Sequence, residues 1–151
     1  MDRPEISVVI PFLNEEENLP ILINALETYA QTLPVRIEVV FVDDGSTDDS
    51  VAVLKQTAFK NFSAKIVKLS RNFGSHPAVR AGFLNASAPN CVWLGADLQE
   101  PLEIIGIGYE KIKEGYDLVC IQKKEVAVAK SEEFFSHLYS KIIRKYAIPD
   151  Y

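Results

Sequence analysis

Ile6-Ser7-Val8-Val9-Ile10-Pro11-Phe12-Leu13-Asn14-Glu15-Glu16 begins apolar and ends polar. Ile37-Glu38-Val39-Val40-Phe41-Val42-Asp43-Asp44-Gly45-Ser46-Thr47-Asp48 repeats that layout. Each opens with a Val- and Ile-rich run (6–10, 37–42) that does not strictly alternate, as expected of a strand covered on both faces. Between them, Leu19, Leu22, Ile23, Leu26, Tyr29 and Ala30 recur at i, i+3, i+4 and i+7, one apolar helix face. A strand, a helix and a second strand in this order make a parallel pair joined by a right-handed crossover.

The same alternation continues down the chain. Apolar runs at 65–69, 91–94 and 117–121 predict three more strands, five in all. A second helix is expected from Ser46 or Thr47 as N-cap. A third is expected from Pro77, burying Val79, Phe83 and Ala86. A fourth spans 101–114 with Leu102, Ile105, Tyr109 and Ile112 inward and Gly115 as its stop. The fold class is therefore α/β with a mostly parallel sheet.

Length and composition bound the rest. A chain of 151 residues, 48% hydrophobic and 25% charged, suits one compact domain and excludes a disordered or collagen-like chain. Acidic residues outnumber basic ones 21 to 16, and a net charge of −5 argues against a nucleic-acid partner. No apolar run reaches the roughly 18 residues that span a bilayer. Met1-Asp2-Arg3-Pro4 lacks signal-peptide character. Cys91 and Cys120 sit in apolar runs and read as buried free thiols of a reducing compartment. With two histidines and no closely spaced Cys pair, a zinc site is not expected.

In open parallel sheets ligands bind beyond the carboxyl ends of the strands. Polar chemistry collects there: Pro11 to Glu16 after the first run, Asp43 to Asp48 after the second, Ser70-Arg71-Asn72-Phe73-Gly74 after the third, and Gly95-Ala96-Asp97-Leu98-Gln99-Glu100-Pro101 after the fourth. Any one of these serves equally as a helix cap or turn, Asn14, Ser46 and Thr47 especially. The four loops together bring several carboxylates to one edge, and these repel one another unless a cation or hydrogen-bond donors lie among them. No G-x-G-x-x-G follows the first run and no G-x-x-x-x-G-K-[ST] occurs, so the two common nucleotide loops are absent. A diphosphate would then need a divalent ion, and Asp97 is placed to hold one.

These segments, in this order from Ser7 to about residue 121, resemble the family-two glycosyltransferases of GT-A fold, a Rossmann-like, doubly wound sheet with helices on both faces. The similarity is greatest to the polyprenyl-phosphate group, the bactoprenol glucosyl and dolichyl-phosphate mannosyl transferases. The resemblance implies a nucleotide-sugar donor, UDP-sugar favoured over GDP-sugar. It also implies Mg2+ or Mn2+, a lipid-phosphate acceptor, and an inverting displacement at the cytoplasmic face of the membrane. Position by position, Pro11, Leu13 and Glu15 match the nucleotide pocket, and Asp43-Asp44 match the contact to base and ribose. Arg71 matches a residue near the nucleotide. Ala96-Asp97 match the second half of the D-x-D motif, with Asp97 as metal ligand and catalytic group, and Gln99 matches a residue close to the sugar or phosphates.

Two departures accompany the resemblance. Gly95 stands where the family has the first Asp of D-x-D, so one carboxylate is missing. The family also continues past the point where this chain stops. Residues 1–122 are expected to form the donor-binding core, and 123–151 a basic loop and an amphipathic helix leading into a missing acceptor-side region. By this reading the chain alone transfers no sugar. Phe134, Phe135, Leu138, Tyr139, Ile142, Ile143 and Tyr146 form the apolar stripe of that helix, suited to packing on the domain, to a membrane surface or to a homo-oligomer. Lys123 and Lys124 read as solvated charge or as phosphate contacts, and His76 as a turn residue. Two other readings compete. One is a relative that holds a nucleotide-sugar without transferring it. The other, a signalling receiver domain, fits poorly because the acidic pair follows the second strand rather than the first.

Overall fold

The computed structural model describes residues 3–121. Lys123, Lys124 and the stripe at 134–146 lie outside the described residues. Four strands, β1 (Ile6–Phe12), β2 (Ile37–Asp43), β3 (Ser63–Lys68) and β4 (Asn90–Trp93), form one parallel sheet in the order β3-β2-β1-β4. Four helices alternate with them: α1 (Asn18–Ala30), α2 (Ser50–Gln56), α3 (Ser75–Asn85) and α4 (Glu103–Lys113).

Both faces of the central strands are covered, which is why their sequence does not alternate. Val8, Ile10, Val39 and Phe41 pack with α1, α2 and α4 through Leu19, Leu22, Leu26, Leu54 and Ile105. Val9, Val40 and Val42 face α3 on the other side. Helix α1 buries Leu19, Leu22, Ile23 and Leu26, the face its spacing predicts. Helix α4 ends at Gly115, where φ is +101° and the amide donates to Ile112 O at 3.0 Å.

Four expectations are corrected. No fifth strand forms at 117–121, and Leu118 is 78% exposed. An apolar run becomes a strand only where another strand accepts its hydrogen bonds, which periodicity does not encode. Cys91 and Cys120 are free thiols as read, but both are exposed. Helix α2 starts at Ser50, because Ser46 and Thr47 are bonded to the loop after β1 instead of capping. Helix α3 begins at Ser75 and turns Ala78 and Gly82 inward, leaving Phe83 exposed. It lies so close to the sheet that a Cβ on Gly82 would meet Val9 Cγ1 at 2.2 Å. Small residues permit that approach.

The amino end of the sheet carries a buried charge. Glu38 accepts hydrogen bonds from Ser7 Oγ (2.6 Å), Ser87 N (2.9 Å) and Ser87 Oγ (2.7 Å), and pairs with Lys65 Nζ at 2.8 Å. Burial favours its neutral form, but Lys65, Ser7 and Ser87 together outweigh that and bring its pKa down to about 2. A depressed carboxylate pKa contributes stability above the unfolded value, and this is lost as pH falls toward the folded one. Glu38→Gln is therefore expected to cost on the order of 2 kcal/mol near neutrality, allowing for solvent at the lysine. The difference from the parent should shrink between pH 4.5 and about 2 in urea titrations. A pH-independent difference would refute the assignment.

Candidate functional site

The loops at the carboxyl edge are tied to one another. Asn14, with φ +56°, donates its amide to Ser46 Oγ and accepts from Thr47 N, both at 2.9 Å. Glu15 N donates to Ser50 Oγ at 2.8 Å, and Asp49 N donates to Glu16 Oε2 at 2.8 Å. These bonds join the loop after β1 to the loop after β2. Asp44 then joins β2 to the loop after β3: its Oδ1 accepts from Phe73 N at 2.8 Å and its Oδ2 from Gly74 N at 2.9 Å. Gly45 between them has φ +84°, and a Cβ there would lie 2.6 Å from both Arg71 C and Asn72 N.

A cleft of about 320 Å³ opens over this edge. Pro11, Phe12, Leu13 and Glu15 line it from the end of β1 and the loop that follows, Asp44 from the second loop, Asn72 and Gly74 from the loop after β3, and Ser75 and Ala78 from α3. Gly95, Ala96 and Asp97 close it after β4. One wall is apolar (Pro11, Phe12, Leu13), and three acidic residues (Glu15, Asp44, Asp97) line the same space. Among the described residues no Lys, Arg or His lines it. Among the described residues no three His, Cys, Asp or Glu side chains assemble into a ready metal cage.

Of the predicted site residues, Pro11, Leu13, Glu15, Asp44, Ala96 and Asp97 come together at the cleft, while Asp43, Arg71 and Gln99 do not line it. Asp43 is fully buried in register with Phe12 and Lys68. Its Oδ1 accepts from Ser46 N at 2.7 Å, and its Oδ2, 3.9 Å from Lys68 Nζ, accepts no hydrogen bond among the described residues. It anchors the turn below the site. The Arg71 guanidinium stacks on the Phe73 ring, 4.5 Å from its centroid. Gln99 donates its backbone amide to Asp97 Oδ1 at 3.2 Å. Phe12, Asn72, Gly74, Ser75 and Ala78 were not singled out from sequence. Asn72 and Gly74 lie within the quoted Ser70–Gly74 segment, but only the Asp44 clamp shows which of its residues turn toward the cleft.

An open parallel sheet with its acidic loops gathered at the carboxyl edge is a Rossmann-like α/β domain, and likeness to solved structures makes it one of GT-A type. The S. aureus TarS fragment 1–349 bound to UDP-GlcNAc superimposes with a TM-score of 0.67 at 25% identity, over 83% of this chain and 36% of that one. The chain belongs to glycosyl transferase family 2, whose sequence pattern matches residues 7–148. It is 37% identical over 142 residues to the undecaprenyl-phosphate 4-deoxy-4-formamido-L-arabinose transferase of Klebsiella pneumoniae (strain 342), covering 93% of this chain and 42% of that protein. It is 32% identical over 143 residues to the bactoprenol glucosyl transferase of Shigella phage SfV, covering 91% of this chain and 47% of the relative. The chain thus spans less than half the length of these relatives. Among the described residues no helix is long and apolar enough to cross a membrane.

Proposed function

We propose that this chain is the donor-binding part of an inverting glycosyltransferase that moves a sugar from a UDP-sugar to a polyprenyl phosphate at the cytoplasmic face of the membrane. The observation that carries the reading is the cleft at the sheet's carboxyl edge, where Glu15, Asp44 and Asp97 lie beside the apolar wall of Pro11 and Leu13. Support for the donor class comes from the TarS complex with UDP-GlcNAc. Support for the acceptor class comes from the names of the undecaprenyl-phosphate and bactoprenol transferases.

The lining fits a divalent ion of the Mg2+ or Mn2+ kind. The charged side chains among the described lining residues are all carboxylates, which repel a diphosphate unless a cation lies between. Such ions prefer oxygen donors and use one or two carboxylates plus phosphate oxygens, so a full protein cage is not required. Asp97 is the residue assigned to hold it, and the bound ion would stabilise charge on the departing diphosphate. The apolar wall of Pro11 and Leu13 offers a surface for the nucleoside, with Glu15 and Asp44 as acceptors for its hydroxyl or ring N–H groups. A phosphate acceptor is already anionic and needs little help from a general base.

Calorimetry with UDP tests the reading. Mn2+ should tighten UDP binding to the full chain, and Asp97→Asn should nearly abolish that metal-dependent part, since losing a direct ligand should cost at least the roughly 10–100-fold that loss of an outer-shell partner does. Metal-independent UDP binding, or an Asp97→Asn variant that responds to Mn2+ like the parent, would overturn it.

A further inference from the structure

The side of the sheet that α3 covers differs in charge from the rest of the domain. No Asp or Glu occurs between Asp49 and Asp97, a stretch that holds Lys55, Lys60, Lys65, Lys68, Arg71 and Arg80 in a chain of net charge −5. Helix α3 and the turn that leads into it lie wholly inside this stretch, whereas α1 carries Glu27 and α4 carries Glu103 and Glu110. Ala78 and Gly82 are the buried residues of α3, so at about 100° per residue Arg80 points away from the sheet, flanked by His76, Phe83 and Leu84. All four are exposed, Leu84 by 75%, and Arg80 forms no salt bridge among the described residues. Trp93, the only tryptophan of the chain, is in register with Val9 and stands on the same face of the sheet, beside α3. It is 55% exposed. Phe73, ahead of α3, is exposed as well, with the Arg71 guanidinium over its ring. Glu38, on this face too, is buried and paired with Lys65. Single exposed apolar side chains are ordinary, but Phe73, Phe83, Leu84 and Trp93 share one side with cations and no exposed acid between them.

We propose that the α3 side is the surface by which this domain sits on an anionic lipid bilayer, with Trp93, Phe83 and Leu84 entering the headgroup layer and Arg71 and Arg80 pairing with lipid phosphates. It rests on the reading of the acceptor as a polyprenyl phosphate, and it says which side of the domain meets the membrane that holds that acceptor. An indole, apolar with one N–H, favours the depth of the headgroups. Each cation close to an anionic leaflet adds attraction that fades within a Debye length. Interfacial binding grows with apolar area and with charge together, and this side offers both. The interleaving of apolar rings with cations fits a bilayer better than an acidic polypeptide, which would use the charge alone. The same stretch also builds the cleft, since Asn72, Gly74, Ser75 and Ala78 line it. A lipid phosphate resting at the first turn of α3 has the cleft beside it, while its polyprenyl chain stays in the bilayer.

The test adds vesicles to the full chain and reads Trp93 directly, since no other tryptophan emits. Vesicles of phosphatidylcholine mixed with phosphatidylglycerol should shift its emission to the blue, and brominated lipid should quench it. Vesicles of phosphatidylcholine alone should bind at least about 10-fold more weakly. Arg80→Gln should weaken cosedimentation with the mixed vesicles about 5-fold, the effect of one interfacial charge, and added salt should shrink that difference. Leu84→Ser should weaken it by about the same factor at any salt concentration. Both residues are exposed, so melting by circular dichroism and Mn2+-dependent UDP binding should match the parent. Parent-like cosedimentation of the double variant Arg80→Gln/Leu84→Ser, or vesicle binding that leaves Trp93 unquenched, would place the contact elsewhere in the chain and overturn the proposal. Equal binding to both kinds of vesicle would overturn it too. So would capture by polyglutamate without vesicle binding, or a dimer in which Trp93 is shielded and vesicles are ignored. Each of these leaves Mn2+-dependent UDP binding, and with it the reading of the cleft, standing. A parent chain that quenches Trp93 on anionic vesicles but shows no Mn2+-dependent UDP binding would support the surface and bring down that reading alone.

Discussion

Gly45→Ala is expected to destabilise the domain by about 3–4 kcal/mol, from left-handed backbone strain together with overpacking. The residue has φ +84°, and a Cβ would sit 2.6 Å from Arg71 C and Asn72 N. Those are backbone atoms, so no side-chain rotation relieves the clash. The loop after β3 has to move, and Asn72 and Gly74 leave the cleft wall with it. Urea unfolding should show the midpoint shift, and UDP binding measured well below that midpoint should still be weakened. A fully stable alanine variant would mean that the two loops are not in contact.

Asp44→Ala attacks the same junction from the other side and should cost about 2–3 kcal/mol, in line with hydrogen bonds to a charged group. The carboxylate is 5% exposed and accepts from two consecutive amides, Phe73 N and Gly74 N. Gly74 N keeps Asn72 Oδ1 at 2.9 Å as a second acceptor, so Phe73 N is the amide left without its carboxylate. Asp44→Asn should recover part of the loss, since its amide oxygen still accepts from one N–H while its NH2 opposes the other. UDP binding should weaken in both variants with or without Mn2+, because the cleft wall is disturbed rather than the cation position. An Asp44→Ala variant of parental stability would show that the carboxylate serves ligand alone. Because Gly45 and Asp44 act on one loop, their effects should combine to less than the sum.

This junction explains why an acidic pair follows β2. One aspartate, Asp43, is buried beneath the turn and holds Ser46 N; the next, Asp44, reaches across to the third loop and edges the cleft. Of the pair, only Asp44 lines the cleft. The opposite end of the sheet shows the same economy of charge, with Glu38 joining β1, β2, β3 and the segment before β4 well away from the cleft.

Much of this was present in local pattern. Val- and Ile-rich runs without alternation identify strands covered on both faces, and β1, β2, β3 and β4 fall within two residues of the runs read from sequence. The spacing of Leu19, Leu22, Ile23 and Leu26 determined which side of α1 is buried. Right-handed crossovers then oblige all the acidic loops to meet at one edge. Other features depended on partners distant in the chain. Residues 117–121 have strand composition but no strand. Helix α3 turns Ala78 and Gly82 inward because it needs close approach, whereas hydrophobicity alone favours Val79 and Phe83. Which aspartate of the pair meets the cleft follows from the register of β2 with β1 and β3. The hydrogen bond from Gly95 N to Glu100 Oε2 spans a left-handed turn at Leu98, a residue type that does not ordinarily signal one. Periodicity records which side of an element is apolar; it does not record what stands opposite, and hydrogen-bond partners, close approach and shared charge are properties of what stands opposite.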